Sequence, residues 1–152
     1  MSITIQRATL QNAKEIGELF NNYRVFYQQD SDVKASTAFI AERLSNGESI
    51  IFYASNEQGE ILGFTQLYPT FSSISAKKSL VLNDLFVAAN ARRLGVARKL
   101  MDAAKDFALN AEINGLSLET ALDNVNAQAL YESLGYQKET GFYNYYLDLT
   151  KP

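Results

Sequence analysis

Between residues 80 and 111 the spacing of apolar side chains changes period once. "LVLNDLFV", residues 80–87, is a bounded, apolar and β-branched run that reads as a strand. Beyond Gly95 the apolar positions fall three and four apart instead. Val96, Leu100, Ala103, Ala104, Phe107 and Ala111 share one face of a helix over 95–111, with Arg98, Lys99, Asp102 and Asp106 turned outward. A strand that passes through a short turn into an amphipathic helix must bury the helix stripe against a sheet. That restricts the chain to folds that layer helices on strands.

The remaining segments fit such a fold. "SITIQRAT" alternates apolar and polar residues as a first strand, and Thr9 can cap a helix carrying Ile16, Leu19, Phe20, Tyr23 and Phe26. A second helix is expected within 34–45, using Phe39, Ile40 and Leu44 and ending at Asn46-Gly47. "SIIFYAS" and "ILGFTQLY" flank "NEQGE", in which Gly59 marks a hairpin turn. Pro69 and the serine-rich "TFSSISAKKS" are expected to form a loop. Asn114-Gly115 stops the long helix, "LSLETAL" reads as a strand, 125–133 as a helix and "FYNYYLDL" as a terminal strand. The order β-α-α-β-β-β-α-β-α-β is mixed α/β, α+β-like: antiparallel strands first, then crossovers. No repeat or linker divides residues 1–152, so one domain is expected.

Composition narrows the chemistry. The chain has no cysteine and no histidine, which excludes disulfides, thiolate zinc sites, Cys–His dyads and Ser–His–Asp triads together. Proton transfer falls to Asp, Glu, Tyr, Lys or ordered water. The net charge of −3 argues against broad nucleic-acid binding. No window holds about 18 consecutive apolar residues, so no membrane span is expected. "MSITIQRAT" lacks the layout of a secretory signal, which makes a cytoplasmic location the expectation.

Against that acidic background, "RRLGVARKL" gathers Arg92, Arg93, Arg98 and Lys99 around Gly95. A helix N-terminus leaves amide N–H groups unpaired and partly positive, and glycine lets backbone approach a ligand closely. Guanidinium groups suit bidentate phosphate contacts. The segment reads as a phosphate cradle, or else as solvated charges beside an incidental glycine. It is neither a Walker loop nor a dinucleotide fingerprint, since the further glycines and the Gly-Lys-Ser/Thr element are missing.

A second element lies a strand and a turn beyond, "DNVNAQALYESLGY" at 123–136. The pair together resembles the GNAT superfamily of N-acetyltransferases. The family's Arg/Gln-x-x-Gly-x-Gly/Ala turn is matched by Arg92, Gly95 and Ala97. Its later Asn-x-x-Ala-x-x-Leu-Tyr-x-x-x-Gly-Phe/Tyr element is matched by Asn124, Ala127, Leu130, Tyr131, Gly135 and Tyr136. The resemblance implies the GNAT fold, a central, mostly antiparallel twisted sheet with helices on both faces. It also implies acetyl-CoA as co-substrate, its pyrophosphate at the turn formed by Arg92, Arg93, Leu94, Gly95, Val96 and Ala97. By the same resemblance the backbone of Phe86, Val87 and Ala88 lies along the pantetheine arm, and Asn124 bonds that arm, although an N-cap role for Asn124 is equally open.

Acetyl transfer needs a neutral amine, yet an alkylamine has a pKa of about 10.4, so deprotonation at pH 7 costs roughly 4–5 kcal/mol. Asp84 is the candidate proton acceptor, since a carboxylate among apolar neighbours needs a partner or a purpose; the alternative is a strand-edge Asp facing solvent. The family resemblance makes Tyr131 the donor to the departing thiolate, a phenol of pKa about 10 facing a thiolate of about 8.5; the alternative is a packed tyrosine. "LNDLFV" with the motifs after it looks like the diamine and polyamine acetyltransferase branch, which carries two adjacent acidic residues where this chain has Asn83 and Asp84. Tyr27, Tyr68 and Phe71, with Asn83 and Asp84, are the candidate amine-binding residues, since aromatic faces attract ammonium and Asp30 and Asp32 favour a cation. Tyr23 and Phe26 read as core. "FYNYYLDL" can line the site or supply a homodimer contact.

The expected activity is N-acetyl transfer from acetyl-CoA to a primary amine, the acceptor a small cationic amine. The alternatives are a protein or peptide N-acetyltransferase and a non-catalytic CoA-binding module.

Overall fold

A computed structural model describes residues 2–150. They fall into two compact units, one through Glu119 and one from Thr120.

The first unit is built on a five-stranded sheet in sequence order: β1 (Thr4–Arg7), β2 (Ile50–Ser55), β3 (Ile61–Ser72), β4 (Lys77–Val87) and β5 (Leu116–Ser117). The first three pairings are antiparallel and β4–β5 is parallel. Helices α1 (Ala13–Phe26) and α2 (Val33–Ser45) follow β1, and α3 (Val96–Asn110) links β4 to β5. Strand alternation puts Ile51 and Tyr53 on one face of β2, packed with Ile16, Phe20 and Ile40 of α1 and α2. Phe52 and Ala54 face the other way and pack with Val96 and Leu100 of α3. Helices therefore cover both faces of the sheet, as expected.

Local chemistry sets the helix boundaries. Thr9 stands before the first turn, and its N–H donates to Asn12 Oδ1 at 2.9 Å. The helices α1 and α2 cross closely at Gly17, where an added Cβ would lie 2.5 Å from Thr37 Oγ1 and 2.6 Å from Thr37 Cα. Buried Asn21 fixes the connection between them: its Oδ1 accepts from Asp32 N–H at 2.8 Å and Ser36 Oγ at 3.2 Å.

Three expectations for the first unit need correction. Pro69 is not in a loop: β3 runs through it to Ser72, and only residues 73–76 turn into β4. Pairing with β2 ends at Leu67, so the missing N–H of Pro69 deprives no neighbour strand of a bond. The expected strand "LSLETAL" shortens to Leu116–Ser117. In α3 the buried stripe is Val96, Leu100, Met101, Ala104 and Ala108, while Ala111 is exposed at its end.

The second unit contains α4 (Val125–Ser133). Asn124 caps its N-terminus, with Oδ1 accepting from Ala127 N–H at 3.3 Å. Gly135, at φ +94°, closes its C-terminus, and Tyr136 N–H donates to Tyr131 C=O at 3.1 Å. The "LGY" of the motif is thus a helix stop. "FYNYYLDL" forms no strand among the described residues of this unit, which offers no second strand to pair its backbone.

Candidate active site

Asp84 is the buried ionisable side chain of the sheet, only 4% exposed on β4. It pairs with Gln66 across the β3–β4 ladder, whereas the next β3 residue, Leu67, pairs with Leu82. Asn83 is therefore the extra residue of a β-bulge. Asn83 is exposed and Asp84 is buried, so the two adjacent positions have different surroundings.

Every hydrogen-bond partner of the Asp84 side chain is neutral. Gln66 Nε2 donates to Oδ2 at 2.6 Å, Asn83 Nδ2 donates to Oδ1 at 3.2 Å, and the Tyr23 hydroxyl also donates. Burial pushes the Asp84 carboxyl above its ordinary value, and the bonds from Gln66, Tyr23 and Asn83 oppose that push. Burial, with the Asp84 charge second, also raises both nearby phenols. Tyr68 is pushed up to about 12, against a smaller opposing pull from Arg43, and Tyr23 is raised further. Both phenols therefore remain donors at neutral pH. The result is one carboxylate among fixed donors, with no cation beside it among the described residues, next to aromatic rings.

Those rings come from α1 and its C-cap, from β3 and from β4. Tyr23 meets Phe64, Phe86 and Tyr27 edge-on, with centroids 5.9, 5.7 and 5.0 Å away. Tyr23, read from the sequence as core, is half-buried with its hydroxyl on Asp84. Phe26, also read as core, is 57% exposed. Of the candidate amine-binding residues, Tyr68, Asn83 and Asp84 come together, and Tyr27 joins them through Tyr23. Phe71 does not: it pairs with Lys78, five residues along β3 from Gln66, and is 74% exposed. At about 3.3 Å per residue that is roughly 16 Å away. Asp32 caps α2, its Oδ1 accepting from Ala35 N–H at 3.0 Å, and Asp30 is exposed.

The basic turn has a distinct geometry. Beyond β4 the chain makes a short 3-10 turn anchored by buried Ala91, and Arg92 is extended. Arg93 and Gly95 then adopt left-handed conformations, φ +67° and +78°. A left-handed arginine is strained by about 1–2 kcal/mol, so the surrounding turn imposes it. The first bond of α3 runs from Lys99 N–H to Gly95 C=O at 3.1 Å. Asp32 caps α2 and Asn124 caps α4, but α3 begins on Gly95 with no side-chain cap and no acidic residue in its first turn. A Cβ on Gly95 would meet nothing within 4 Å, so the backbone faces open space. The start of α1 also lacks a side-chain cap but carries Glu15 in its first turn, whereas the start of α3 has neither, which suits it to an external anion.

Arg92 is partly engaged. Its Nε donates to Val87 C=O at 3.2 Å, and its guanidinium lies 5.8 and 5.9 Å from the Phe26 and Phe86 ring centres. Ala88 N–H donates to Leu62 C=O at 2.8 Å, so that amide is not available to pair with a pantetheine arm. Arg93, Leu94 and Gly95 are exposed, Val96 anchors the helix from beneath, and Ala97 is half-buried. In the second unit Tyr131 projects from α4 with its ring centre 6.2 Å from that of Tyr136. Among the described residues no cluster of three or more acidic side chains could hold a metal, and no helix is long and apolar enough to cross a membrane.

The sequence profile of the acetyltransferase (GNAT) family matches residues 13–136. The chain belongs to the GNAT family of acetyltransferases. It is similar to the uncharacterized N-acetyltransferase YhfO of Bacillus subtilis (strain 168), 47% identical over 147 residues, 97% of this chain and 98% of that protein. It is 31% identical over 126 residues to a probable acetyltransferase of Haemophilus influenzae, covering 83% of this chain and 84% of that one. A crystal structure of a probable acetyltransferase superposes with a TM-score of 0.91 at 39% identity, covering 98% and 99% of the two chains. The chain is thus an acetyl-transferring enzyme with the GNAT fold.

GNAT acetyltransferases take the acetyl group from acetyl-CoA, a carrier bearing a diphosphate. The uncapped, glycine-led start of α3, flanked by Arg92 and Arg93, has the charge and open backbone that such a diphosphate requires. The residues present fit the group. Gln66 and Tyr23 were missed by sequence reasoning. Gln66 carried one signal, a polar residue in the otherwise apolar "ILGFTQLY".

Proposed function

We propose that residues 1–152 act as one N-acetyltransferase domain that transfers the acetyl group from acetyl-CoA to a primary amine, the acceptor being a small cationic amine. The observation that carries this reading is Asp84, a buried carboxylate with only neutral partners, beside half-buried Tyr23 and Tyr68. An uncompensated buried carboxylate is costly to the fold. A cationic substrate supplies the missing charge and, on losing its proton, the nucleophile.

The bound carrier supplies an activated acetyl thioester. Asp84 accepts the proton that the ammonium must release, directly or through water, and its raised pKa brings it nearer the range in which a base works at neutral pH. Tyr23 and Tyr68, kept protonated, orient the amine and do not compete as bases. Arg92, Arg93 and the backbone of Leu94, Gly95, Val96 and Ala97 hold the diphosphate. Phe86 and Val87 lie along the pantetheine arm, where the Val87 carbonyl becomes available once Arg92 turns to the phosphates. Asn124 fixes the start of α4, and Tyr131 protonates the leaving thiolate, a role resting on the sequence motif. The diamine and polyamine-like pattern belongs to the same proposal, with Asn83 in place of one of the branch's two acids. A homodimer and a cytoplasmic place of action are carried on the sequence alone.

The test is release of free thiol from acetyl-CoA across a panel of diamines, monoamines, peptide N-termini and lysine peptides. Acetylation of small cationic amines at the lowest KM supports the reading. Turnover of peptides alone replaces the acceptor class, and no turnover with any amine overturns the proposal.

A further inference from the structure

We propose that Gln66 is a positioning residue: its side-chain amide holds the Asp84 carboxylate oriented and ionised for the proton it accepts from the substrate. This rests on the acetyl-transfer reading above.

Gln66 is fully buried on β3, directly opposite Asp84 in register and beside the bulge. A leucine or methionine of similar volume would fill that space without introducing a polar group. Glutamine fills it with a defect: Oε1 is buried with no hydrogen-bond partner among the described residues. A protein that tolerates an unpaired buried acceptor at this position gains something from the other half of the amide. That half, Nε2, donates to Asp84 Oδ2 at 2.6 Å, the short distance of a charge-assisted bond.

The amide is not symmetric towards the proton. Were it turned end for end, Oε1 would face Oδ2 and could accept only from a protonated Asp84, and two N–H donors would then be buried without partners. The observed arrangement therefore favours the carboxylate over the acid. The other groups facing Asp84 are the Tyr23 hydroxyl from α1, Tyr68 on β3 and Asn83 on β4. Tyr27 acts on Tyr23, and Arg43 of α2 acts on Tyr68; Arg43 is itself paired with Glu42 at 3.1 Å and Glu48 at 3.0 Å. Among the described residues no cation contacts Asp84 directly, so neutral donors hold its charge. The Gln66 bond is the shorter of the two amide bonds to Asp84, 2.6 Å against 3.2 Å from Asn83.

The experiment is the pH titration of the Asp84 carboxyl carbon in 13C-aspartate-labelled protein, assigned by its loss in Asp84→Asn. It is run beside the pH profile of kcat/KM for parent, Gln66→Met and Gln66→Glu. Expected in Gln66→Met is a rise of roughly one to two pH units in the Asp84 midpoint, with the acid limb of kcat/KM moving equally and the acetyl-CoA KM unchanged. Gln66→Glu, which sets a second carboxyl beside the first, raises the midpoint further and provides the same readout if the methionine variant fails to fold. An Asp84 midpoint at the parent's value in a folded variant overturns the inference. A midpoint that moves while the acid limb stays shows that Gln66 holds the carboxylate ionised but overturns its part in proton transfer, because Asp84 is then not the base.

Discussion

Replacing Gly95 with alanine separates what the turn does for the fold from what it does for the carrier. Gly95 has φ +78°, and an alanine there adopts a left-handed conformation that costs about 1–2 kcal/mol. Alanine also narrows the unfolded ensemble, which returns roughly 0.4–1 kcal/mol. No atom lies within 4 Å of the added Cβ, so no steric term enters and the net loss is about 1 kcal/mol, a fall of about 2–4 °C in Tm. Gly47 is the control, with φ +64° and equally open space around its Cβ, at the end of α2. Gly47→Ala and Gly95→Ala should melt within a degree or two of each other. Only Gly95→Ala should weaken coenzyme A binding in titration calorimetry, by about tenfold or more, because its methyl stands where a phosphate must approach the backbone. Parent-like affinity in Gly95→Ala would refute the placement of the diphosphate at this helix end. A much larger loss of stability in Gly95→Ala than in Gly47→Ala would refute the reading of the turn as open.

Further substitutions test the other parts of the site. Tyr131→Phe should lower turnover about tenfold or more with little change in acetyl-CoA affinity, measured by steady-state kinetics and calorimetry; unchanged turnover removes Tyr131 from the chemistry. Asp84→Asn should lower turnover yet raise Tm at neutral pH. Burial raises the folded-state pKa of Asp84, so its ionised form penalises the fold fully above that pKa, and the penalty fades as pH falls towards the ordinary carboxylate value. The advantage of Asp84→Asn in Tm should therefore shrink on acidification, and an advantage that grows instead contradicts the sign. Gly17→Ala should destabilise by about 1–3 kcal/mol in denaturant unfolding. Its Cβ would sit 2.6 Å from the Thr37 backbone, which outweighs the roughly 1 kcal/mol that alanine gains in a helix. A stabilised variant would show that the α1–α2 crossing yields easily.

The parts of the molecule that could be read from sequence are those fixed by local chemistry. Asn124 caps α4, Gly135 ends it, Gly59 turns the β2–β3 hairpin, and Gly95 sets the start of α3. Each is a residue whose backbone preference acts within a few positions, so the motif spells the conformation out directly. The same holds for the helix stripes, with an error of one turn at the end of α3. Where partners are distant in sequence, the reading fails. Pro69 punctuates a loop by local rules, yet it sits in a strand because β2 has already ended beside it. "FYNYYLDL" alternates like a strand, but alternation is a preference, and a strand also needs a neighbour to bond with.

The site divides along the same line. That Asp84 is unusual could be read from its apolar neighbours. Why it is unusual could not, because its surroundings come from three separate segments: Gln66 by cross-strand register, Tyr23 by the seating of α1, and Asn83 by a bulge. A strict two-residue period puts Leu82 and Asp84 on one face, but they pair with Leu67 and Gln66, neighbours on β3 that face opposite ways, and Asn83 has no partner residue of its own there. The bulge is what lets Asp84 pair with Gln66 while Leu82 stays paired with Leu67. A one-residue slip would exchange the faces of every residue beyond it. Register is therefore the physical determinant of where the proposed proton acceptor stands. Deletion of Asn83 would close the ladder with Leu82 still opposite Leu67 and Asp84 still opposite Gln66. It should therefore cost only the Asn83 bond to Asp84 and leave both acetyl transfer and coenzyme A binding measurable. Loss of all turnover in a folded variant would show that register alone does not place the carboxylate.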